Sequence, residues 1–149
     1  MAETLFQVVF LLAAPFWALM ILLPAWSWTR RIVASPLIAA PAAAVYAVGV
    51  LPMFGEAWAA VSRPELAEIS AFLSTPEGTA VAWAHFIAFD LFVGRWAYLD
   101  ARERGVHPLI MAPVLLLTIM LAPLGFLAYL AIRAVPTKRS AKAPQDAAV

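Results

Sequence analysis

Four apolar runs of about 20 residues each occupy most of the chain and are separated by short polar segments. A helix of about 20 apolar residues is long enough to cross the hydrocarbon core of a bilayer. Because 64% of the residues are hydrophobic and 13% are charged, no separate soluble domain is expected. The sequence therefore predicts an all-α polytopic membrane protein, with four transmembrane helices in one bundle near residues 4–26, 33–54, 78–101 and 109–133.

Shorter features complete the predicted organisation. Residues 64–74 place apolar side chains at helical spacing, which predicts a short amphipathic helix on the membrane surface. Kinks are expected at Pro15 and Pro41, because a proline removes a backbone donor from its helix. A single transmembrane domain is expected over residues 1–135. Residues 136–149 are too poor in apolar residues to fold alone, and this polar tail is predicted to be disordered.

Charges near the N-terminus bear on the orientation. The first apolar run lacks the basic region of a secretory signal peptide and is interpreted as a retained helix. Basic residues nearly balance between the two predicted faces. The contrast between Glu3 and the Arg30-Arg31 pair then favours an external N-terminus and a cytoplasmic first loop. The alanine-rich composition indicates a bacterial protein, so the predicted location is the bacterial inner membrane.

Composition also limits the chemistry. The chain has no cysteine, which excludes disulfides, thiolate metal sites and cysteine nucleophiles. Its two histidines lie outside any cluster of carboxylates, so no metal site is predicted, and no cofactor-binding motif is present. A net charge of +1 argues against nucleic acid as a partner. The expected partners are the lipid bilayer, an apolar ligand, and further copies of this chain or a larger membrane complex.

Three ionisable residues interrupt the third apolar run: His85, Asp90 and Arg95. A charge at the bilayer centre costs on the order of 3 kcal/mol, so such residues usually face a bundle interior and mark function. Asp90 is interpreted either as a functional acid or as one side of a structural hydrogen bond between helices. His85 is either functional or interfacial. Arg95 is either functional or extends its guanidinium into the headgroups.

Aromatic and small residues surround these ionisable groups on the same helix. A long apolar ligand could be held by aromatic rings beside a buried acid, although the same rings could simply face lipid or the bundle core. Gly94, one turn from Asp90, would let a neighbouring helix or ligand approach the backbone. The candidate ligand-binding residues of the third run are Trp83, Phe86, Phe89, Gly94 and Trp96.

The fourth apolar run carries a break at Pro123-Leu-Gly125. This sequence predicts a broken or kinked helix. Irregular backbone at membrane depth is tolerated only where it is buried or lines a cavity. Pro123 and Gly125 are therefore expected to bound a ligand groove, together with the three ionisable residues of the third run.

Charged residues mark the end of the third run. Asp100 and Arg104 have the i, i+4 spacing of an ordinary helix pair, and Glu103 with His107 could form another. Both pairs are interpreted as solvated charges.

Spaced motifs in the second half of the chain resemble a known family. They read Trp83-x-His85-x4-Asp90-Leu-Phe-Val-Gly94-Arg95-Trp96, Asp100-x-Arg102-x2-Gly105, and Leu121-Ala-Pro123-Leu-Gly125-Phe-Leu-Ala-Tyr129-Leu-x-x-Arg133. This pattern is similar to that of the abscisic-acid-deficient-four-like membrane proteins, whose plant members are linked to neoxanthin formation. The first half agrees only in composition and helix organisation. The resemblance implies isomerisation of an epoxycarotenoid to an allenic product, without a redox cofactor.

Such a reaction needs an acid to protonate the epoxide oxygen and a base to remove a vinylic proton. On this reading Asp90, kept protonated by burial, is the acid and His85 is the base, while Arg95 steadies developing negative charge. The competing hypothesis is a non-catalytic membrane subunit that binds a pigment, quinone or lipid, or docks onto a larger complex. Proton or solute transport is less well supported, because the sequence shows no inverted repeat.

Overall fold

A computed structural model describes residues 1–135 of the chain, and the predicted tail at residues 136–149 lies outside the described residues. All regular structure in the described part is helical, which confirms the all-α prediction. The helices are α1 (Ala2–Leu22), α2 (Ser27–Val33), α3 (Ala40–Val50), α4 (Phe54–Ser62), α5 (Leu66–Leu73), α6 (Pro76–Arg104), α7 (Pro108–Met120) and α8 (Ala122–Ala134).

Two helical segments are long and apolar enough to cross a membrane: Ala2–Leu22 and Pro36–Ser62. The second begins with the 3₁₀ turn Pro36–Ala39 and joins α3 to α4 through the 3₁₀ turn Leu51–Met53. Only 22% and 17% of their most apolar stretches are buried within the protein. A core helix of a soluble protein would be mostly buried, because exposed apolar surface is unfavourable in water. Their outward apolar surfaces are compatible with membrane association.

Boundaries differ from the sequence prediction in the first two runs. α1 ends at Leu22, and the separate helix α2, which carries Arg30 and Arg31, was not predicted. The intervening turn is fixed by Thr29, whose hydroxyl donates to the carbonyl of Leu23 at 2.8 Å. The second run continues as helix to Ser62, eight residues beyond its predicted end at 54. The short helix predicted at residues 64–74 is confirmed as α5; its position on a membrane surface stays a prediction.

Local end signals predicted α6 correctly. The Thr75 hydroxyl accepts a hydrogen bond from the backbone of Gly78 at 3.0 Å, as a helix cap does, and Pro76 is the first helical residue. Of the predicted kink positions, Pro15 lies inside α1 without interrupting it. Pro41 follows a 3₁₀ turn at the start of α3.

The described residues form two compact units, and α1 and α6 contribute to both. The first unit comprises Met1–Phe16 and Pro36–Leu91. Within it, Gly49 packs against Val81 and Tyr46 lies beside His85. Because the later residue of α3 meets the earlier residue of α6, these two helices run antiparallel.

The second unit comprises Trp17–Ser35 and the described residues from Phe92 onward. Trp17 packs directly on Gly94, and the hydroxyl of Tyr98 donates to the carbonyl of Pro24 at 2.8 Å. Between these two contacts, the residue number rises from 17 to 24 in the first run and from 94 to 98 in α6. The end of α1 therefore runs parallel to α6 in this unit.

The fourth apolar run folds back on itself instead of continuing in one direction. The break predicted near Pro123 is confirmed, and it falls at Leu121, which has φ −147° and ψ 73°. Beyond it, Gly125 packs against the backbone of Thr118. α8 then returns along α6, so that Tyr129 meets Trp96 and Arg133 meets Asp100. The prediction of a single helix crossing the membrane over 109–133 therefore does not describe this hairpin.

Candidate functional site

His85 lies exposed on α6 among aromatic rings. Its imidazole stacks on Phe89, with ring centroids 4.8 Å apart and planes inclined by 25°. Tyr46 of α3 lies at 5.6 Å and Phe86 at 6.1 Å by the same measure. No other described side chain forms a hydrogen bond with the imidazole, so its ring nitrogens are available to a ligand.

Asp90 is half-buried on α6. Within residues 1–135, its carboxyl group forms neither a hydrogen bond nor an ion pair. The interhelical hydrogen bond considered from the sequence is therefore not made by the described residues. A partly buried carboxyl without a partner loses hydration and gains nothing in return. Such a group is a candidate for binding or proton transfer.

His85 and Asp90 are five residues apart on one helix, which corresponds to about 7 Å of rise and about 140° of rotation. They do not face each other directly. Both belong to the first unit, as do Phe86 and Phe89, which are 53% and 59% exposed. An apolar molecule lying against this part of α6 would meet aromatic surface together with one imidazole and one carboxyl. We name His85, Asp90, Tyr46, Phe86 and Phe89 the α6 polar-aromatic cluster.

Trp83, another predicted ligand-binding residue, has a packing partner within the protein. Its indole stacks on Phe6 of α1, with centroids 5.2 Å apart and planes inclined by 23°. The contact attaches the beginning of α1 to α6 in the first unit. Trp83 therefore contributes to helix packing.

Arg95 is engaged with backbone in the second unit. Its Nε donates to the carbonyl of Val33 at 2.8 Å, and a terminal nitrogen donates to the carbonyl of Ala34 at 2.5 Å. Carbonyls at the end of a helix lack intrahelical partners, and a cation suits the negative end of the helix dipole. Arg95 therefore caps α2.

Both glycines predicted to lie at the site are buried by helix packing. A Cβ atom at Gly94 would stand 2.2 Å from the ring of Trp17, which confirms that Gly94 admits a neighbouring helix. A Cβ atom at Gly125 would stand 2.2 Å from Oγ1 of Thr118 and 2.6 Å from its backbone. Gly125 is thus required by the α7–α8 hairpin, while Pro123 is exposed at the first turn of α8.

Asp100 organises the end of α6. Its Oδ2 atom accepts hydrogen bonds from Nε of Arg104 at 2.8 Å and from Nε of Arg133 at 2.9 Å. The hydroxyl of Tyr129, which is fully buried, donates to the same oxygen. The predicted Asp100–Arg104 pair is confirmed, but its side chains are partly buried and not the solvated charges that the sequence predicted. We call Asp100, Arg104, Tyr129 and Arg133 the Asp100 clamp, because it fastens α8 to α6.

A groove adjoins the clamp in the second unit. Its volume is about 400 Å³. Trp96 forms part of its wall, and the guanidinium of Arg133 lies 5.9 Å from the centre of that indole. The wall is mostly apolar, with the guanidinium as its charged group. The lining residues are Phe92, Val93, Trp96, Phe126, Leu130 and Arg133.

The roles of Tyr129 and Arg133 were missed in the sequence reading of the site. Both occur at i, i+4 spacing in the motif Tyr129-Leu-x-x-Arg133, so they share a helix face. That pairing was a usable signal, but their acceptor could be identified only once α8 was known to return along α6. His107 was also misread: it accepts a hydrogen bond from the backbone of Leu109 at 3.2 Å and caps α7, and no His107–Glu103 ion pair forms among residues 1–135.

Replacing Asp100 by alanine should destabilise the second unit. Two guanidinium groups and the Tyr129 hydroxyl would lose their common acceptor. The expected loss is about 1 to 3 kcal/mol in the free energy of unfolding, because Tyr129 is buried while the arginines are partly solvated. Thermal unfolding in detergent measures it. Glu103→Ala, an exposed acid on the same helical turn, is the control and should leave the midpoint unchanged.

The fold and these clusters define a class: an all-helical protein with outward apolar surfaces and ionisable groups placed along one long helix. Residues 4–129 match the family model described as ABA DEFICIENT 4-like. The chain belongs to this ABA4-like family. No curated protein and no solved structure matches it.

Proposed function

We propose that this protein is an integral membrane isomerase that acts, without a cofactor, on a carotenoid or another long apolar isoprenoid. The observation that carries the proposal is Asp90, a half-buried acid without a protein partner among the described residues, which lies five residues from the exposed and aromatic-flanked His85 on the same helix. ABA4-like membership supports a neoxanthin-synthase-like reaction. The product would be an isomer of the substrate.

The membrane placement follows from length and surface. α6 has 29 residues, which at 1.5 Å each makes about 43 Å, more than a hydrocarbon core requires. We propose that α1, the segment Pro36–Ser62 and α6 cross the bilayer. The four-crossing bundle is replaced by three crossings because α7 and α8 fold back. The proposed location remains a bacterial inner membrane with an external N-terminus.

In the reaction, Asp90 donates its proton to the epoxide oxygen as the carbon–oxygen bond breaks. His85 removes a vinylic proton, and the electron pair of that C–H bond forms the new double bond of the allene. One proton enters the substrate and one leaves it, so the product has the same composition. No oxidant or reductant is needed. Positioned acid and base groups typically contribute on the order of 10² to 10⁴ in rate.

Aromatic surface would hold the substrate in this scheme. Phe86 and Phe89 are exposed and flank the imidazole, so a polyene could lie along them by apolar and stacking contacts. The ligand would approach sideways from lipid. The hydroxyl of Tyr46 forms no hydrogen bond with any described residue, so it could donate one to a polar ring substituent of the substrate.

Arg95 has a structural role in this proposal. We expect Arg95→Ala to lower the unfolding midpoint, because the carbonyls of Val33 and Ala34 would lose their donors. The cost should be about 1 to 3 kcal/mol. The turnover rate of folded protein should stay within about twofold of wild type. Arg63→Ala, an exposed arginine, is the matched control for stability. A turnover loss as large as that expected for Asp90→Asn would instead assign Arg95 to the chemistry.

One observation favours a second function, binding without turnover. The groove beside Trp96 has apolar walls and a guanidinium but neither an acid nor a base suited to isomerisation. It could hold a pigment, quinone or lipid in a non-catalytic subunit of a homo-oligomer or larger complex. A measurement of substrate turnover distinguishes an isomerase from a protein that only binds the ligand.

Expression in a bacterial host that accumulates the epoxycarotenoid violaxanthin tests the proposal. Extracted pigments are separated by chromatography, and their molecular masses are determined by mass spectrometry. We expect a new allenic pigment with the mass of the substrate. Pigment that co-purifies with the protein unchanged would favour the binding function, and unchanged pigment that does not co-purify would contradict both for this class of ligand.

A further inference from the structure

We propose that α7 and α8 form a re-entrant hairpin, which enters the bilayer and leaves it on the same membrane face. This inference rests on the proposed crossing of the membrane by α6. It places the end of α8 on the face where α6 ends, and it makes that face the cytoplasmic one.

Helix length is the first argument. α7 and α8 each contain 13 residues, so each spans about 20 Å. A hydrocarbon core is about 30 Å thick. Neither helix alone is long enough to cross it. The two could cross together only if α8 continued in the direction of α7, but α8 turns back along α6.

The direction of α8 is the second argument. Along α8, Phe126 and then Arg133 meet Trp96 and then Asp100 along α6. Both pairs are separated by 30 to 33 positions in the sequence, so the two helices run parallel. Antiparallel helices would instead pair later residues of one with earlier residues of the other. Since α7 begins four residues after α6 ends, α7 leads into the bilayer and α8 leads out again.

The tip of the hairpin suits lipid. The backbone N–H of Leu121 donates to Leu117 at 2.7 Å, and those of Leu124 and Gly125 donate to Leu121 at 2.9 and 3.0 Å. A turn at membrane depth needs such internal partners. The side chains at the tip are exposed and apolar: Met120 is 70% exposed, Leu121 54% and Leu124 51%. A hairpin tip in water would carry polar turn residues instead.

Charge distribution supplies the orientation. With a re-entrant hairpin, the face that carries Arg30, Arg31, Arg102 and Arg104 also carries Arg133. A fourth crossing would instead have placed Arg133 on the opposite face. Positive residues flanking membrane helices concentrate in the cytoplasm, so this face is cytoplasmic.

The natural absence of cysteine makes a direct test possible. Single cysteines are placed at Ser74 before α6, at Glu103 in its last turn and at Val135 after α8, all exposed positions. Intact bacteria are treated with a membrane-impermeant maleimide, and lysed cells provide the total. We expect Ser74→Cys to react in intact cells, and Glu103→Cys and Val135→Cys to react only after lysis.

Each other pattern has a distinct meaning. Opposite accessibility of Glu103→Cys and Val135→Cys would overturn the re-entrant hairpin while leaving the crossing by α6 intact. Equal accessibility of Ser74→Cys and Glu103→Cys would show that α6 does not cross, and would contradict the membrane placement on which the proposed function rests. Green fluorescent protein fused after Val149 gives a second reading on the unsubstituted chain. We expect fluorescence, which requires a cytoplasmic C-terminus; active alkaline phosphatase at the same point would overturn the proposal.

Discussion

Replacement of Asp90 by asparagine should reduce epoxycarotenoid isomerisation by at least about 100-fold while leaving the protein folded. Asparagine preserves the size of the side chain and its hydrogen-bonding capacity but cannot deliver a proton from a carboxyl group. Because Asp90 has no hydrogen-bond or ionic partner among residues 1–135, little stability should be lost. The measurement is the conversion rate per amount of purified protein, with thermal unfolding recorded on the same sample.

Matched variants give this prediction its controls. Glu103→Gln makes the same chemical change at an exposed acid outside the α6 polar-aromatic cluster and should leave conversion unchanged. His85→Asn should lower the rate by a similar factor to Asp90→Asn, because it removes the proposed base. His107→Asn is its control, since asparagine can still cap α7. Full conversion by Asp90→Asn would remove Asp90 from the chemistry.

Gly125→Ala should destabilise the protein by about 1 to 3 kcal/mol or more through overpacking. The added Cβ would stand 2.2 Å from Oγ1 and 2.6 Å from backbone atoms of Thr118, so α7 and α8 would have to separate. Backbone atoms cannot rotate away as the end of a flexible side chain can. Thermal unfolding in detergent measures the change in the unfolding midpoint.

The sign of this effect reports on the hairpin itself. Alanine in a helix interior is normally more stable than glycine by roughly 0.5 to 1 kcal/mol. Gly55→Ala, where a Cβ would meet nothing within 4 Å, should therefore be neutral or stabilising. An equal stabilisation by Gly125→Ala would mean that Gly125 does not lie against Thr118, and it would contradict the fold of the second unit.

Local signals explain what the sequence could predict. α6 was located because Thr75 and Pro76 mark its start and charged residues with a glycine mark its end, all within a few positions of the boundary. The break near Pro123 follows from the missing backbone donor of proline. The ionisable residues of the third run were found because they interrupt an apolar segment, and the structure leaves Asp90 and His85 without protein hydrogen-bond partners in the described part of the chain.

Interactions distant in sequence explain what could not be predicted. Arg95 binds carbonyls of Val33 and Ala34, and every residue has a carbonyl, so no residue type indicates this partner. The folding back of α8 depends on the contact of Gly125 with Thr118, while the apolar pattern simply continues through both helices. The Asp100 clamp depends in turn on that hairpin. Each missed feature follows from tertiary packing.

The proposed activity is isomerisation of a long apolar isoprenoid by acid and base chemistry on α6. Its most direct test is the rate at which purified protein in lipid nanodiscs converts violaxanthin when no cofactor is added, followed by chromatography and mass spectrometry. We predict a single allenic product of unchanged mass, formed by wild type and at least about 100-fold more slowly by Asp90→Asn. Absence of the product from wild type, or equal rates for the two proteins, would contradict the account.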